Sequence, residues 1–105
     1  MLVSVKNKRE LFDLIIAHQE IIRTYGVRKL GVFGSFARNQ ANENSDIDFF
    51  INFYPHEKSF KKFMRLADFL EELTGRNIEI ITPQSLNPFI GKYILKEVEY
   101  VSFAA

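Results

Sequence analysis

The sequence contains no cysteine. That excludes a disulfide framework, a thiolate metal site and a cysteine nucleophile together. Tryptophan is also absent, so an aromatic core would have to be built on the eleven phenylalanines. The net charge is only +1, too small to draw in nucleic acid by electrostatics, and no direct nucleic-acid binding is expected. No apolar run approaches the length of a membrane span, and Met1 to Lys8 lacks the apolar core of a signal peptide. The expected setting is therefore cytoplasmic, with no membrane contact. No repeat, low-complexity tract or linker divides the 105 residues, so residues 1–105 are expected to form one domain, long enough to bury one core. With 47% apolar and 26% charged residues, the composition is that of an ordinary globular protein.

What is present centres on one stretch, Gly34 to Asp48. It leaves an apolar run at Gly31-Val32-Phe33 and enters another at Ile47-Asp48-Phe49-Phe50-Ile51. Both runs are rich in aromatic and β-branched residues and read as short buried strands. Gly34-Ser35 thus stands at a strand end, and Phe36-Ala37-Arg38 can open a short helix. A glycine lets a phosphate approach the backbone closely, and the serine hydroxyl and the N–H groups of a first helical turn can hold it. After a spacer of ten residues come Asp46-Ile47-Asp48. In a strand these two carboxylates share a face, and their repulsion is most commonly relieved by a divalent metal.

The rest of the chain supplies a scaffold. Asn7 and Glu10 have the form of a capping box, and Leu11, Leu14, Ile15, His18, Ile21, Ile22 and Tyr25 recur at helical spacing until Gly26. His18 reads as a hydrogen-bonded residue at the core edge. Val27 to Phe33 forms the first strand. Arg38, a turn beyond it, can reach a nucleotide phosphate or form a surface salt bridge, for instance with Glu43. In the second strand, Asp46 to Phe53, the residues Ile47, Phe49, Ile51 and Phe53 share an apolar face that must lie on the helices. The carboxylates then point to the opposite, more open face. Pro55 ends the strand, and His56 beside it reads as a surface histidine. Ser59 looks like the N-cap of a helix carrying Phe60, Phe63, Leu66, Ala67, Leu70 and Leu73, closed by Gly75. Lys58, Lys61, Lys62 and Arg65 form a basic cluster at its start and read as a solvated face. Asn77 to Thr82 is a third strand with Ile78 and Ile80 inward. Glu79 then faces the carboxylate side, if the second and third strands are neighbours. Pro83 to Pro88 reads as a turn or broken helical segment, Phe89 to Lys96 as a helix and Glu97 to Val101 as a short edge strand. Ser102 to Ala105 is expected to fray.

Gly34-Ser35, the ten-residue spacer and Asp46-Ile47-Asp48 resemble the signature of the DNA polymerase β-type nucleotidyltransferases. The short chain and the Gly-Ser-Phe-Ala-Arg form are similar to the minimal nucleotidyltransferases, the MNT proteins paired with HEPN-domain toxins. The resemblance covers about Val27 to Val101. It implies a mixed α/β fold: a small mixed sheet with helices mainly on one face. It also implies that Gly34 and Ser35 hold the β/γ-phosphates of a nucleoside triphosphate, and that Glu79 occupies the place of a third carboxylate, usually aspartate in the small members. Members commonly have glycine where this chain has Asn39. Asparagine is the next best residue for a left-handed turn.

The reaction so implied moves NMP, with AMP from ATP expected, to an acceptor hydroxyl and expels pyrophosphate. Two Mg²⁺ ions would clamp the attacking and leaving oxygens. Mg²⁺ keeps several waters, so Asp46, Asp48 and Glu79 suffice as its protein ligands, with Glu79 also helping to deprotonate the acceptor. The elements counted above leave no segment for an acceptor pocket, which points to a hydroxyl on a partner protein. By resemblance the partner is a HEPN-domain toxin, modified on a tyrosine. Two alternatives stay open: an antitoxin that acts by contact without catalysis, and a transferase acting on a small molecule. Small-molecule transferases of this type generally carry an additional acceptor-binding domain. Simple metal-dependent hydrolysis would leave Gly34-Ser35 unexplained.

Overall fold

The computed structural model describes residues 4–57 and 59–103. Lys58 of the basic cluster lies outside them, as do Ala104 and Ala105 of the tail expected to fray; Phe103 before them packs against the core. Two glycines with left-handed backbones, Gly26 (φ 85°) and Gly34 (φ 74°), bound strand β1, Val27–Phe33. Strand β2, Ile47–Phe53, lies antiparallel to it, with Leu30 opposite Ile51 and Phe33 opposite Asp48. Strand β3, Ile78–Ile81, runs parallel to β2. A parallel pair needs a crossover rather than a hairpin. Helix α4, Phe60–Thr74, provides it: the Ser59 side chain accepts from Lys62 N–H, and Gly75 closes the helix at φ 71°. A two-residue strand β4, Glu99–Tyr100, completes the order β3-β2-β1-β4.

The apolar face of β2 is buried as its alternation requires. Ile47, Phe49 and Ile51 pack in one core with Leu66 and Leu70 of α4 and with Leu11, Ile15 and Ile22 from the N-terminal helices, while Ile78 and Ile80 pack against it. The N-terminal helical stretch is not continuous. It divides into α1, Lys8–Ala17, and α2, Gln19–Thr24, at His18. The His18 imidazole engages the Leu14 carbonyl at 2.9 Å, and its backbone N–H turns to Ile15 O instead. A side chain that competes for the i−4 carbonyl interrupts the helical ladder. Asn7 caps α1 through Glu10 N–H, while the Glu10 carboxylate reaches back to Lys6 N–H rather than to Asn7 itself.

The opposite sheet face is less open than the alternation suggested. Phe50, on the same side as the carboxylates, is buried. Ile90 and Ile94 of helix α5, Pro88–Glu97, enclose a cavity together with Phe33, Glu79 and Ile81, and so cover part of this face. The edge strand expected over Glu97 to Val101 is present but starts later. Glu97 completes the last turn of α5, where Val98 N–H still bonds Ile94 O, while Glu99–Tyr100 pair with β1 and Val101 N–H adds a bond to Leu30 O at 2.9 Å. The strand start moves too: β2 begins at Ile47, leaving Asp46 on the preceding loop.

Candidate active site

The end of β1 feeds directly into α3, Gly34–Ala37, a helix of a single turn. Buried Phe36 and Ala37 anchor it in the core, Arg38 N–H bonds Gly34 O at 3.1 Å, and Asn39 takes the left-handed turn at φ 57°. Asparagine therefore does the work that glycine commonly does at this position. Gly34 is needed on two counts. Its backbone is left-handed, and any side chain on it would overlap the Asp48 carboxylate. Close approach at this glycine is thus already used by the protein's own acid. Ser35 is half-buried beside it, and its carbonyl accepts from Gln40 N–H at 2.9 Å.

Asp48 faces Gly34 from β2, and the parallel register sets Glu79 of β3 directly beside it. Asp46 is exposed on the loop one residue before the strand. That loop is held by Arg76, a residue the sequence pattern does not single out. Its guanidinium donates to the carbonyls of Asn42 and Ser45, both at 2.8 Å, and to Val5 O at 2.7 Å, while lying 4.9 Å from the centre of the Phe36 ring. Arg76 thereby ties the loop to α3 and to the N-terminal segment.

The electrostatics converge on Asp48. Burial, followed by the negative charges of Glu79, Asp46 and Glu97, pushes its carboxyl up to about 6, against a smaller opposing pull from Arg38. Four acids and one cation therefore share this place. Glu97 is the member missed at the sequence level. Its Oε1 accepts from Gly34 N–H and, at 2.8 Å, from Arg38 Nη1. Arg38 thus has its salt bridge, with Glu97 rather than Glu43, and its Nε bonds Gln40 at 3.0 Å. Nothing in the sequence links a glutamate near the C-terminus to an arginine after the first strand. Of the two histidines, His18 meets Phe69 edge-on, and exposed His56 lies tilted beside Tyr54. Neither is drawn into the acidic group.

The donor set suits a hard divalent cation. It offers carboxylate oxygens only, and a cation would offset the burial and the repulsion that together lift Asp48. As the side chains stand, no three acidic or histidine groups among the described residues are assembled around one ion position. Asp46 and Glu79 are exposed, and exposed side chains change rotamer within nanoseconds. Two cavities border these acids. One, of about 440 Å³, is lined by Asp46, Glu43 and Arg76; the other, of about 290 Å³, lies between Glu79 and the apolar side chains of Phe33, Ile81, Leu86 and Ile90.

Residues 15–101 match the family model described as nucleotidyltransferase domain. The protein adenylyltransferase MntA of Thermococcus cleftensis is 39% identical over 93 residues, covering 88% of this chain and 93% of its own. A solved structure described provisionally as a minimal nucleotidyltransferase superposes with a TM-score of 0.79 at 28% identity, over 92% of this chain and 98% of that one. The fold is shared more distantly, at 13% identity and a TM-score of 0.63, with a chain from the complex of a tri-AMPylated Shewanella oneidensis HEPN toxin and its MNT antitoxin. That match covers 92% of this chain and 73% of the other.

Proposed function

Because the chain belongs to the minimal nucleotidyltransferases of the nucleotidyltransferase domain family, we propose that this enzyme transfers AMP from ATP to a hydroxyl of a partner protein and acts as an antitoxin. The observation that carries the reading is the meeting of Asp48, Glu79 and the Gly34 turn on one sheet face, with Asp46 on the adjoining loop. Asp46, Asp48 and Glu79 would hold Mg²⁺, which when bound neutralises charge on the triphosphate and on the departing pyrophosphate. The turn at Gly34-Ser35 and the Arg38 guanidinium take the β/γ-phosphates. Glu79 accepts the proton of the acceptor hydroxyl as its oxygen bonds the α-phosphorus and the bond to the β-phosphate oxygen breaks.

A protein acceptor is favoured by the surface beside the site. Helix α5 exposes Phe89, Ile90 and Tyr93 on one side, and its residue Ile90 borders the cavity at Glu79. Contiguous exposed apolar side chains mark interaction surfaces. The apolar walls of that cavity suit an aromatic acceptor such as a tyrosine ring. The relative from Thermococcus is a protein adenylyltransferase, and the Shewanella antitoxin is seen with an AMPylated HEPN toxin. A HEPN-domain toxin is accordingly the proposed partner. Incubating the chain with its co-purified partner, ATP and Mg²⁺ should add the mass of AMP to the partner, and the variant carrying both Asp46→Asn and Asp48→Asn should add none. Transfer to a small molecule or an oligonucleotide, with none to any co-purified protein, would overturn the reading.

A further inference from the structure

Helix α5 ends in a carboxylate placed where the substrate's anionic end is expected. One oxygen of Glu97, Oε1, accepts from two donors at once. They are the backbone N–H of Gly34, which opens α3, and Arg38 Nη1 at 2.8 Å. The side chain is partly buried, with 30% of its surface exposed, so water does not freely replace it at these donors. Both donors belong to the group assigned above to the β/γ-phosphates. A charged oxygen bonded to a guanidinium and a backbone N–H satisfies them much as a phosphate oxygen would. The two cannot be there together. Glu97 also adds its charge to the field that raises the Asp48 carboxyl, so it stands within electrostatic reach of the acids as well.

We infer that Glu97 is an internal competitor of the nucleotide: it fills the phosphate end of the site through Gly34 and Arg38, and ATP enters only as this carboxylate withdraws. The inference rests on the reading of Gly34, Ser35 and Arg38 as the phosphate-binding side. It makes Glu97 a residue that sets nucleotide affinity without taking part in bond making. A carboxylate in place about nine-tenths of the time weakens the apparent affinity about tenfold.

Calorimetric titration of ATP with Mg²⁺ into the isolated chain tests this, comparing wild type with Glu97→Gln, Glu97→Ala and Glu99→Gln. Glu99 is exposed, pairs with Lys8 and lies only two residues away, so it controls for a general loss of negative charge. Glu97→Gln keeps the shape of the side chain and guards against a folding defect, which melting curves without nucleotide would reveal. The expected result is ATP binding about tenfold tighter in Glu97→Ala, tighter by a smaller factor in Glu97→Gln, and unchanged in Glu99→Gln. Wild-type binding with folded Glu97 variants that bind no more tightly would overturn the inference and leave the proposed function standing. Equal tightening in Glu97→Gln and Glu99→Gln would overturn it too, as plain electrostatics. Absence of binding in all four proteins would overturn both the inference and the reading on which it rests.

Discussion

Replacing Asp48 by asparagine should make the metal-free protein more stable at neutral and alkaline pH and leave it unchanged in acid. The carboxyl is raised from 3.8 to about 6 by burial and by its acidic neighbours. A shift of this size corresponds to about 3 kcal/mol at 1.36 kcal/mol per pH unit. The group is only half-buried, and solvent screening reduces the figure to about 1–2 kcal/mol. The sign follows from linkage. The folded state binds this proton more tightly than the unfolded chain, so the stabilising contribution is fully present below pH 3.8 and is lost as pH rises through about 6. Asparagine has the same shape and so keeps its packing against Gly34, but carries no charge. Thermal unfolding of wild type and Asp48→Asn in EDTA, from pH 4 to pH 8, should therefore show curves that nearly coincide at the acid end, part progressively as pH rises to about 6, and keep a constant gap above it. At about 4–8 °C for each kcal/mol in a domain of this size, the gap is readily measured. A variant no more stable than wild type at pH 8, or a gap equal at both ends, would refute the picture of a carboxylate held at electrostatic cost.

Glu79→Gln should lower turnover on the order of a hundredfold or more while leaving ATP affinity within a few-fold, since the change removes a proton acceptor and not the phosphate contacts; steady-state kinetics with the partner would show it, and turnover within a few-fold of wild type would make Glu79 an ordinary solvated residue. Arg76→Ala should destabilise the fold by about 3 kcal/mol, because it leaves the carbonyls of Val5, Asn42 and Ser45 without their shared charged donor, and urea denaturation would measure the loss.

Much of this site is legible in the sequence because its parts obey local rules. The run Val27–Phe33 sits between two glycines, and the strand occupies that run without remainder. Strict alternation in Ile47–Phe53 assigns Asp48 to the face opposite the core, and the same alternation around Ile78 and Ile80 assigns Glu79 to it. What sequence reasoning misses depends on distant partners. Glu97 to Val101 alternates as a strand would, yet the helix continues through Glu97, whose carboxylate bonds Gly34 and Arg38. The break at His18 comes from one imidazole competing for one carbonyl, which a periodicity of apolar residues does not register. Arg76 follows the closing glycine of α4 and looks like a solvated end residue; its role comes from the loop that folds back onto it.

The mixed direction of the sheet has a consequence for the order in which the enzyme is made. Gly34, Ser35, Asp46 and Asp48 all lie within the antiparallel β1–β2 unit, whose contacts are local and close early. Glu79 joins only by parallel addition of β3, after the whole of α4 has been synthesised and docked. Glu97 comes later still, on the last helix. During synthesis the glycine turn and the aspartate pair therefore leave the ribosome before the third acid. Domains emerge from their N-terminal ends as synthesis proceeds, so a product stopping before Ile78 carries the glycine turn and both aspartates but lacks Glu79. The three acids assigned to the proposed metal site are therefore brought together only when β3 docks beside β2.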